Sequence, residues 1–516
     1  MAFQRLSGFC LMLGMTLAAL PVITNALADS QRTLELQVER ERAPLPAANW
    51  TKSFWINTPG ANPLAGEGSE GPLTDDADVC IIGSGLTGVS AAYHLGKQLE
   101  SSDRGEQLKV VVLDARDFCA GATGMVYRSA VNGLLNNDIR IRTQRRALVS
   151  IAFNSFNLAS QRFGTDEVLR WLALERHTVT EIVKIVEEHG LEEAVDLVNS
   201  GRIELLITPE ELADAQADYK AARAAGANLD DVQWLTESET FGSSYPGYLH
   251  TGYNIWPLKF VTELYKLAAA SSALNLTLHT RTPVTSITPS NNSSASSSSR
   301  PWTLSTPRGS VACTRIIHAT NAYVSHLLPH MRGPTGVIPV RAQVMALRAA
   351  VPVESISRHA WTGNEGFEYW FPRPLDEGQE HPLVIIGGGR DATGPEYELY
   401  VADDSTINAR AGAAIRKFLP ALFPGKYEEG REPEMEWTGI MGYTANSDPF
   451  VGPVVDPSSP TDNYEGQFLS AGYSGHGMPR AFACAEALAQ IVAAEIMGKS
   501  WSPPDWLPRH YLTQSL

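Results

Sequence analysis

Residues 79–95 read VCIIGSGLTGVSAAYHL, an apolar run followed at once by the spacing G-x-G-x-x-G at Gly83, Gly85 and Gly88. The apolar run predicts a buried strand, and the small and apolar residues from Leu86 to Leu95 predict a helix. Gly83 allows a tight turn, Gly85 lets the backbone approach a pyrophosphate, and Gly88 lets the helix pack closely on the strand. The free N–H groups at a helix N-terminus favour an anionic group. The stretch therefore predicts a dinucleotide-binding turn.

A second strand follows the predicted helix and ends in an acidic residue. Leu108 to Leu113 is mostly apolar, and Asp114 comes directly after it. An acid at this strand end can accept hydrogen bonds from ribose hydroxyls. It lies further from the first glycine than the usual spacing of about 20 positions, because the polar insertion Glu100 to Gln107 separates helix and strand. The pattern predicts a βαβ unit, which is compatible with NAD, with FAD, or with a glycine-rich turn that holds no ligand.

Size and charge narrow the class of protein. The chain has 516 residues, well beyond the roughly 250–300 at which a single core stops growing, so two domains packed together are expected. It carries 41 Lys and Arg against 57 Asp and Glu, a net charge of −16. An acidic surface repels phosphate backbones, and nucleic acid is therefore not an expected partner.

The first 28 residues have the features of a secretory signal peptide. Arg5 precedes the apolar run Phe9 to Leu20, and Ala26 to Ala28 supplies the small residues of a cleavage site. The run is shorter than the about 20 residues that a spanning helix needs, and a membrane anchor is the alternative. Residues 29–74 are rich in Pro, Gly and charge and predict an extended N-terminal segment. We expect a secreted protein, or one in the secretory-pathway lumen, without a stable membrane span after signal removal.

Sequons and cysteines are also relevant to whether the protein is secreted. The spacing of the cysteines matches no metal site, and no metal is expected. Buried free thiols are expected at Cys80 and Cys484; a disulfide is the alternative, and the sequence does not pair the cysteines. Four N-x-Ser/Thr triplets fit export and glycosylation: they begin at Asn49, Asn275, Asn291 and Asn292.

Further along the chain, local signals predict several elements. Thr208-Pro209-Glu210-Glu211 predicts a helix start with Thr208 as N-cap and Glu211 completing a capping box. Residues 405–419 predict a helix that Pro420 ends. Phe468 to Ala471 predicts a strand, followed by a loop of small residues and by a helix from Ala481 to Met497. The last helix offers a second N-terminus to a ligand.

Four further segments carry a resemblance to a known family. They are Gly121-Ala-Thr-Gly124, Ala319-Thr-Asn-Ala-Tyr323, Trp437-Thr-Gly-Ile-Met-Gly-Tyr-Thr444 and Ala471-Gly-Tyr-Ser-Gly-His-Gly-Met478. With the βαβ unit, they make the chain, from about residue 77 to 498, resemble the D-amino-acid oxidase-like superfamily of FAD-dependent oxidoreductases. That superfamily includes glycine, sarcosine and γ-glutamylputrescine oxidases.

The resemblance implies an α/β fold in which two domains interleave. A Rossmann-like FAD-binding domain would comprise residues 75–145, 246–340 and 436–516, and a substrate domain on a mixed β-sheet would comprise residues 146–245 and 341–435. The implied cofactor contacts are Gly83, Ser84, Gly85, Leu86, Thr87, Gly88, Asp114, Ala115, Arg116, Gly121, Ala122, Thr123, Gly124, Val284, Asn321, Ala322, Gly475, His476, Gly477 and Met478.

The chain departs from its amine-oxidising relatives at several positions. The segment 125–133 replaces their Arg-Asn-Gly-Gly, and Pro479 stands where sarcosine-type relatives have a lysine that binds the substrate carboxylate. Met441 stands where those relatives have the cysteine that links to flavin, so noncovalent FAD is expected. An arginine that binds a carboxylate is missing near the same strand, which disfavours a simple α-amino acid. The lysine that some relatives use for O₂ activation is replaced near Ile385.

Four residues are candidates for the catalytic site. His476 could tune the charge of the flavin or shuttle a proton; the alternative is a loop histidine that contacts only backbone. Arg390 could bind an anionic group of the substrate, or pair with a nearby acid. Tyr369 and Trp437, with Trp370, could form an aromatic wall over the flavin, or pack in the core.

These features predict oxidation of the C–N bond of an amine or modified amino acid by hydride transfer to flavin N5, with O₂ or another compound as electron acceptor. The alternatives are oxidation of another small molecule, such as a secondary metabolite, and a catalytically impaired flavin-binding protein.

Overall fold

The computed structural model describes residues 41–100, 105–125, 153–290, 300–375, 377–459 and 464–515. Three features predicted above lie outside these residues: the signal peptide, the sequons at Asn291 and Asn292, and nearly all of the segment 125–133.

The described residues form eighteen strands. They are β1 (Asp76–Ile82), β2 (Leu108–Leu113), β3 (Val198–Asn199), β4 (Arg202–Leu205), β5 (Gln233–Leu235), β6 (Gly247–His250), β7 (Tyr253–Asn254), β8 (Leu274–His279), β9 (Ser286–Pro289), β10 (Trp302–Thr306), β11 (Gly309–His318), β12 (Ile338–Arg348), β13 (Ala360–Gly363), β14 (Glu368–Pro372), β15 (Leu383–Gly388), β16 (Met435–Tyr443), β17 (Phe450–Pro453) and β18 (Gln467–Ala471).

Ten α-helices lie in the same described ranges. They are α1 (Phe54–Asn57), α2 (Leu86–Glu100), α3 (Ala122–Met125), α4 (Phe156–Phe163), α5 (Thr165–Glu188), α6 (Pro209–Ala224), α7 (Pro257–Ala269), α8 (Val324–Leu327), α9 (Ala409–Leu422) and α10 (Gly477–Ile496).

The first sheet contains the predicted βαβ unit. Its order is β17-β18-β11-β1-β2-β8, with β10 paired to β11 and β9 to β10. The strands β18, β11, β1, β2 and β8 run parallel. Helix α2 packs against α7 and α10, and α10 also packs against α5. The end of β1, from Val79 to Ile82, is buried, as expected for a parallel strand covered on both faces.

The second sheet has eight strands in the order β16-β12-β15-β14-β13-β4-β6-β5. Only β13 and β4 pair in parallel; the other neighbours are antiparallel. The sheet is therefore mixed, and the predicted fold class, an α/β protein with a Rossmann-like part and a mixed sheet, is confirmed. Helix α9 packs against β15 and β12.

Two strands depart from the predicted division into domains. Strand β6 lies within residues 246–340, which were predicted to belong to the FAD-binding domain, but it pairs with β4 and β5 in the second sheet. Strand β16 lies almost wholly within residues 436–516, yet it pairs with β12. Both departures have one cause, since pairing between distant strands decides sheet membership and local sequence patterns do not report it.

Local predictions for the helices met different outcomes. The capping box of α6 is confirmed: Thr208 Oγ1 accepts from the Glu211 N–H at 3.1 Å, and Glu211 accepts from the Thr208 N–H at 2.8 Å. The prediction that Pro420 ends α9 is wrong, because the helix continues to Leu422. A proline in the last turn costs only one backbone hydrogen bond. Helix α10 begins at Gly477, one turn earlier than predicted.

The cysteines are not all free thiols. Cys80 in β1 and Cys313 in β11 form a disulfide across neighbouring strands, and both are fully buried. The expectation of a free thiol at Cys80 is therefore wrong, since adjacent parallel strands bring the two Cα atoms to 6.0 Å. Cys484 is a buried free thiol as expected, and Cys119 is another.

The segment before β1 is less extended than predicted. Within residues 41–74 it forms α1 and several turns. Thr51 attaches this segment to the second sheet and the loop beside it, since its N–H donates to the Asp404 carbonyl at 2.8 Å and its hydroxyl contacts Thr438 of β16. No helix in the described part of the chain has the length and apolar character needed to cross a membrane.

Candidate functional site

A cavity of about 1230 Å³, including the space at its mouth, lies where the first sheet meets the second. Both predicted turns, at Gly83 and at Gly475, contribute residues to its wall. Of the predicted cofactor contacts, the following line it: Gly83, Gly85, Leu86, Thr87, Asp114, Ala115, Arg116, Gly121, Ala122, Thr123, Val284, Asn321, Ala322, Gly475, Gly477 and Met478.

The glycines of the first turn have three different environments. Gly83 has φ +111°, and a Cβ there would lie 2.6 Å from the Ala319 carbonyl oxygen. A Cβ on Gly88 would lie 1.9 Å from the Gly83 carbonyl oxygen, so this glycine allows α2 to pack on the turn. Gly85 is more open, because a Cβ there would meet only Thr123 Oγ1, at 3.2 Å. Gly85 therefore leaves backbone accessible to a ligand, and Gly88 serves packing.

Asp114 is fixed at the end of β2 by its own neighbours. Its Oδ2 accepts hydrogen bonds from the Ser84 N–H at 2.7 Å and the Ser84 hydroxyl at 2.6 Å. Its Oδ1 accepts from the Arg116 N–H at 2.9 Å. Burial raises the pKa of the Asp114 carboxyl, and these hydrogen bonds act in the opposite direction. A carboxylate has about four acceptor sites, so Asp114 keeps capacity for a ribose hydroxyl.

The predicted Gly-Ala-Thr-Gly turn closes over the start of α2. Thr123 Oγ1 accepts from the Leu86 N–H at 3.1 Å. Gly124 does not line the cavity; a Cβ there would lie 2.3 Å from the Cys119 carbonyl oxygen. Ser84 is also turned away, since its hydroxyl bonds Asp114 and accepts from the Cys119 N–H at 2.9 Å. Three of the predicted contacts therefore support the turns on the side away from the cavity: Ser84, Gly88 and Gly124.

Asn321 connects the two halves of the cavity wall. It has φ +45°, and its side-chain oxygen accepts from the Gly472 N–H at 2.9 Å. A Cβ on Gly442 would lie 2.6 Å from the same oxygen, so β16 approaches this turn closely. The Ser474 N–H donates to the Gly442 carbonyl at 2.8 Å. These contacts hold the loop before α10 against the second sheet.

The second helix N-terminus reaches the same cavity. Gly475, Gly477 and Met478 line it, and α10 runs for 20 residues behind them. Tyr473 joins this loop to the first turn, because the Thr87 hydroxyl donates to Tyr473 Oη at 3.0 Å. His476 is the N-cap of α10; it is buried and lies between two lining glycines without lining the cavity itself.

The cavity suits an anionic ligand. Two positive helix ends, at Leu86 and Gly477, face one space, and Gly85 leaves the backbone open where a pyrophosphate would bind. The residues present therefore fit a flavin dinucleotide.

Comparison with known proteins identifies the family. The sequence profile of the family described as "FAD dependent oxidoreductase" (DAO) matches residues 78–491. The chain belongs to this family. The protein is thus a FAD-dependent oxidoreductase of the DAO family.

Individual relatives are distant but cover most of the chain. The glycine oxidase of Geobacillus kaustophilus is 23% identical over 421 residues, which cover 79% of this chain and 90% of that protein. The probable oxidoreductase OrdL of Haemophilus influenzae is 24% identical and covers 83% of this chain and 85% of its own. Among solved structures, the L-proline dehydrogenase from P. horikoshii aligns with a TM-score of 0.60 at 16% identity, over 85% of this chain and 97% of that one.

The other candidate catalytic residues of this DAO-family protein lie in the second sheet. Trp437 is fully buried and donates its indole N–H to the Met125 carbonyl. Tyr369 is also buried, with its ring across Gly387 of the neighbouring strand. Arg390 is 1% exposed, and its guanidinium carbon lies 5.3 Å from the centroid of the Tyr443 ring. None of the three is part of the cavity wall formed by the described residues.

Sequence reasoning missed several residues on the cavity wall. Ile440, Met441 and Gly442 of β16 line it, although Met441 had been considered only as a replaced cysteine. Tyr323 ends the quoted segment that contains Asn321 but was not named as a cofactor contact, and His326 could have been found by extending that segment. Pro44, Leu45 and Pro46 also line the cavity, and they carry no motif that links them to a cofactor.

Proposed function

We propose that the protein holds FAD noncovalently in this cavity and oxidises the C–N bond of an amine or modified amino acid. The observation that carries the proposal is the meeting of the turn at Gly83 and the turn at Gly475 on one cavity wall. The relatives reported above are named for glycine and L-proline, which supports a substrate with a C–N bond.

The two helix ends give the cofactor a direction in the proposed complex. The pyrophosphate lies at the first N–H groups of α2, and a ribose hydroxyl lies at Asp114. The isoalloxazine ring lies toward Gly477 and Met478, at the start of α10. Reduction places negative charge on the flavin, and a positive helix end stabilises that charge.

The proposed reaction removes two electrons from the substrate. Bound FAD would supply this chemistry by accepting, at flavin N5, a hydride from the C–H next to nitrogen; with loss of a proton from the nitrogen, the substrate would become an imine. With O₂ as acceptor, reoxidation yields hydrogen peroxide. The chain itself orients the substrate and excludes water, and this chemistry requires no strong acid–base pair in the protein.

Arg390 is the proposed electrostatic binding group for an anionic part of the substrate, and it would act from behind the cavity wall, because it is not part of that wall. It is held on the ring of Tyr443, which directly follows the cavity-lining Gly442. We expect Arg390→Gln to raise KM for a carboxylated amine by about threefold or more, because a buried positive charge near the cavity is lost. KM for an uncharged amine serves as the control and stays unchanged. An equal rise in KM for both amines would show that Arg390 does not recognise the anionic part of the substrate.

A substrate screen tests the proposed function. Purified yellow protein is mixed anaerobically with amines, modified amino acids and nitrogen-free alcohols while the flavin absorbance is followed, and peroxide is measured in air. The proposal predicts bleaching by a compound with a C–N bond. Bleaching by nitrogen-free compounds alone, or by none, would contradict it.

We also propose that the protein is exported. Support comes from the Cys80–Cys313 disulfide, since structural disulfides persist in oxidising compartments. The sequon residues Asn49 and Asn275 are both exposed. Expression with the native N-terminus in a eukaryotic host should give secreted protein whose mass falls on deglycosylation. The double variant Asn49→Gln/Asn275→Gln is the control for those two sites. Retention of the whole protein in the cytosol would contradict the proposal.

A further inference from the structure

A short stretch far ahead of the first strand lies on the wall of the cofactor cavity. Pro44, Leu45 and Pro46 line the cavity, whereas β1 begins only at Asp76. We call residues 43–47 the clasp. It is held in place at both ends by contacts with residues distant in sequence.

The first end of the clasp is attached beside the turn at Asn321. Ala43 is buried, and its N–H donates to Ser325 Oγ at 3.0 Å. The ring nitrogen Nδ1 of His326 lies 3.1 Å from the Ala43 carbonyl oxygen. His326 itself lines the cavity. This end of the clasp is therefore fixed to the cavity wall.

The second end is attached to Arg116, two residues after Asp114, the acid expected to bind ribose. Arg116 Nε donates to the Ala47 carbonyl at 3.0 Å. The same guanidinium makes two hydrogen bonds to the Asp404 carboxylate, at 2.8 and 2.6 Å, with both side chains almost fully buried. It also lies 4.8 Å from the centroid of the Trp50 ring. Arg116 was predicted to contact the cofactor, but its guanidinium is used to hold the clasp.

The two attachments place the clasp across one particular end of the cavity. Asp114 and Ala115, which line the cavity directly before Arg116, mark the ribose end. The isoalloxazine end lies at Gly477 and Met478, at the start of another helix. We propose that the clasp covers the adenosine half of FAD and slows dissociation of the cofactor, with Leu45 as the side chain that contacts the adenosine.

Leu45 has the properties that this role requires. It is 36% exposed although its neighbours are fixed, and it lines the cavity. Contact with the base removes apolar surface from water on both partners. Pro44 and Pro46 restrict the backbone on either side, so little conformational freedom is lost when the ligand binds. The inference concerns retention of FAD and does not depend on the substrate proposed above.

Dissociation of FAD from the full-length holoprotein tests the inference. After dilution, release is followed by the rise in flavin fluorescence. We expect Leu45→Ser to increase the dissociation rate by about tenfold. Ser325→Ala, which removes one attachment of the clasp without altering the cavity wall, should act in the same direction and by a smaller factor. Leu375→Ser is the matched control, because Leu375 is 37% exposed and is not part of the cavity wall.

The two halves of FAD locate the contact. The flavin-free chain is titrated with ADP, which carries the adenosine, and with FMN, which does not. The inference predicts that Leu45→Ser weakens ADP binding and leaves FMN binding unchanged. An unchanged FAD dissociation rate in Leu45→Ser would overturn it, and so would an equal loss of affinity for ADP and FMN.

Discussion

The three glycines of the first turn have different roles in folding and in cofactor binding. Gly83 and Gly88 face backbone atoms, where any Cβ would collide, whereas Gly85 faces the cavity and Thr123 Oγ1. A Cβ on Gly83 or Gly88 would collide with backbone and destabilise the fold, because the strand and helix would have to separate. A Cβ on Gly85 would extend into the cavity and displace only the ligand. The same motif thus contains residues needed for stability and a residue needed for binding.

A pair of alanine variants separates these roles. Gly85→Ala should lower FAD affinity by at least about tenfold and change the free energy of unfolding of the flavin-free protein by less than about 1 kcal/mol. Gly88→Ala should lower that free energy by about 1–3 kcal/mol or more, through overpacking. Urea unfolding and FAD titration measure the two effects. This assignment of roles is wrong if Gly85→Ala lowers the free energy of unfolding more than Gly88→Ala does.

Met441 leads us to expect that the flavin is not attached covalently. It lines the cavity, and the resemblance to sarcosine-type relatives aligns it with the cysteine that they link to the flavin. A thioether has no thiolate with which to form that bond. Acid precipitation of the purified protein should therefore leave all the yellow colour in the supernatant. Yellow colour in the washed pellet would show a covalent link and contradict the expectation.

At the scale of helices and strands, local signals predicted more than long-range ones. The strand β2 was predicted with its observed bounds, and Thr208 capped α6 as expected, because both features depend on neighbouring residues. The membership of β6 in the second sheet and the Cys80–Cys313 pair depend on residues far apart in the chain. The clasp at Ala43 to Ala47 belongs to the second group, since only the folded chain brings it to Arg116.

The disulfide between β1 and β11 is expected to stabilise the fold by a measurable amount. It closes a loop between residues separated by 233 positions. Replacing both partners, as in Cys80→Ala/Cys313→Ala, should lower the free energy of unfolding by about 2–4 kcal/mol. Wild-type protein unfolded in urea with a thiol reductant should show a similar loss, and the double variant should not respond to the reductant. Identical wild-type curves with and without reductant would contradict the prediction.

At the scale of the whole molecule, the C-terminal segment joins elements behind the cofactor loop. His510 contacts Glu167 of α5 at 2.7 Å and Asp448 at 3.2 Å. Asp448 and Glu175 both pair with Arg480 in the second turn of α10. Burial alone would lower the pKa of His510, but its hydrogen bonds to Asp448 and Glu167 outweigh that effect and raise the pKa.

The raised pKa of His510 makes this junction sensitive to pH. Its stabilising effect is fully present below the unfolded pKa of about 6.5 and is lost as the pH rises through the higher folded pKa. The difference in free energy of unfolding between wild type and His510→Gln should therefore shrink as the pH rises above about 6.5. His189→Gln, at an exposed site after α5, is the control. A difference that grows with pH would refute the assignment.

A crystal structure of the protein grown with FAD tests the central claim most directly. The electron density should show one FAD per chain, with the pyrophosphate against the N–H group of Gly85 at the start of α2 and the isoalloxazine against Gly477 and Met478. Density for a cofactor that contacts only one of the two turns, or that lies outside this cavity, would contradict the account.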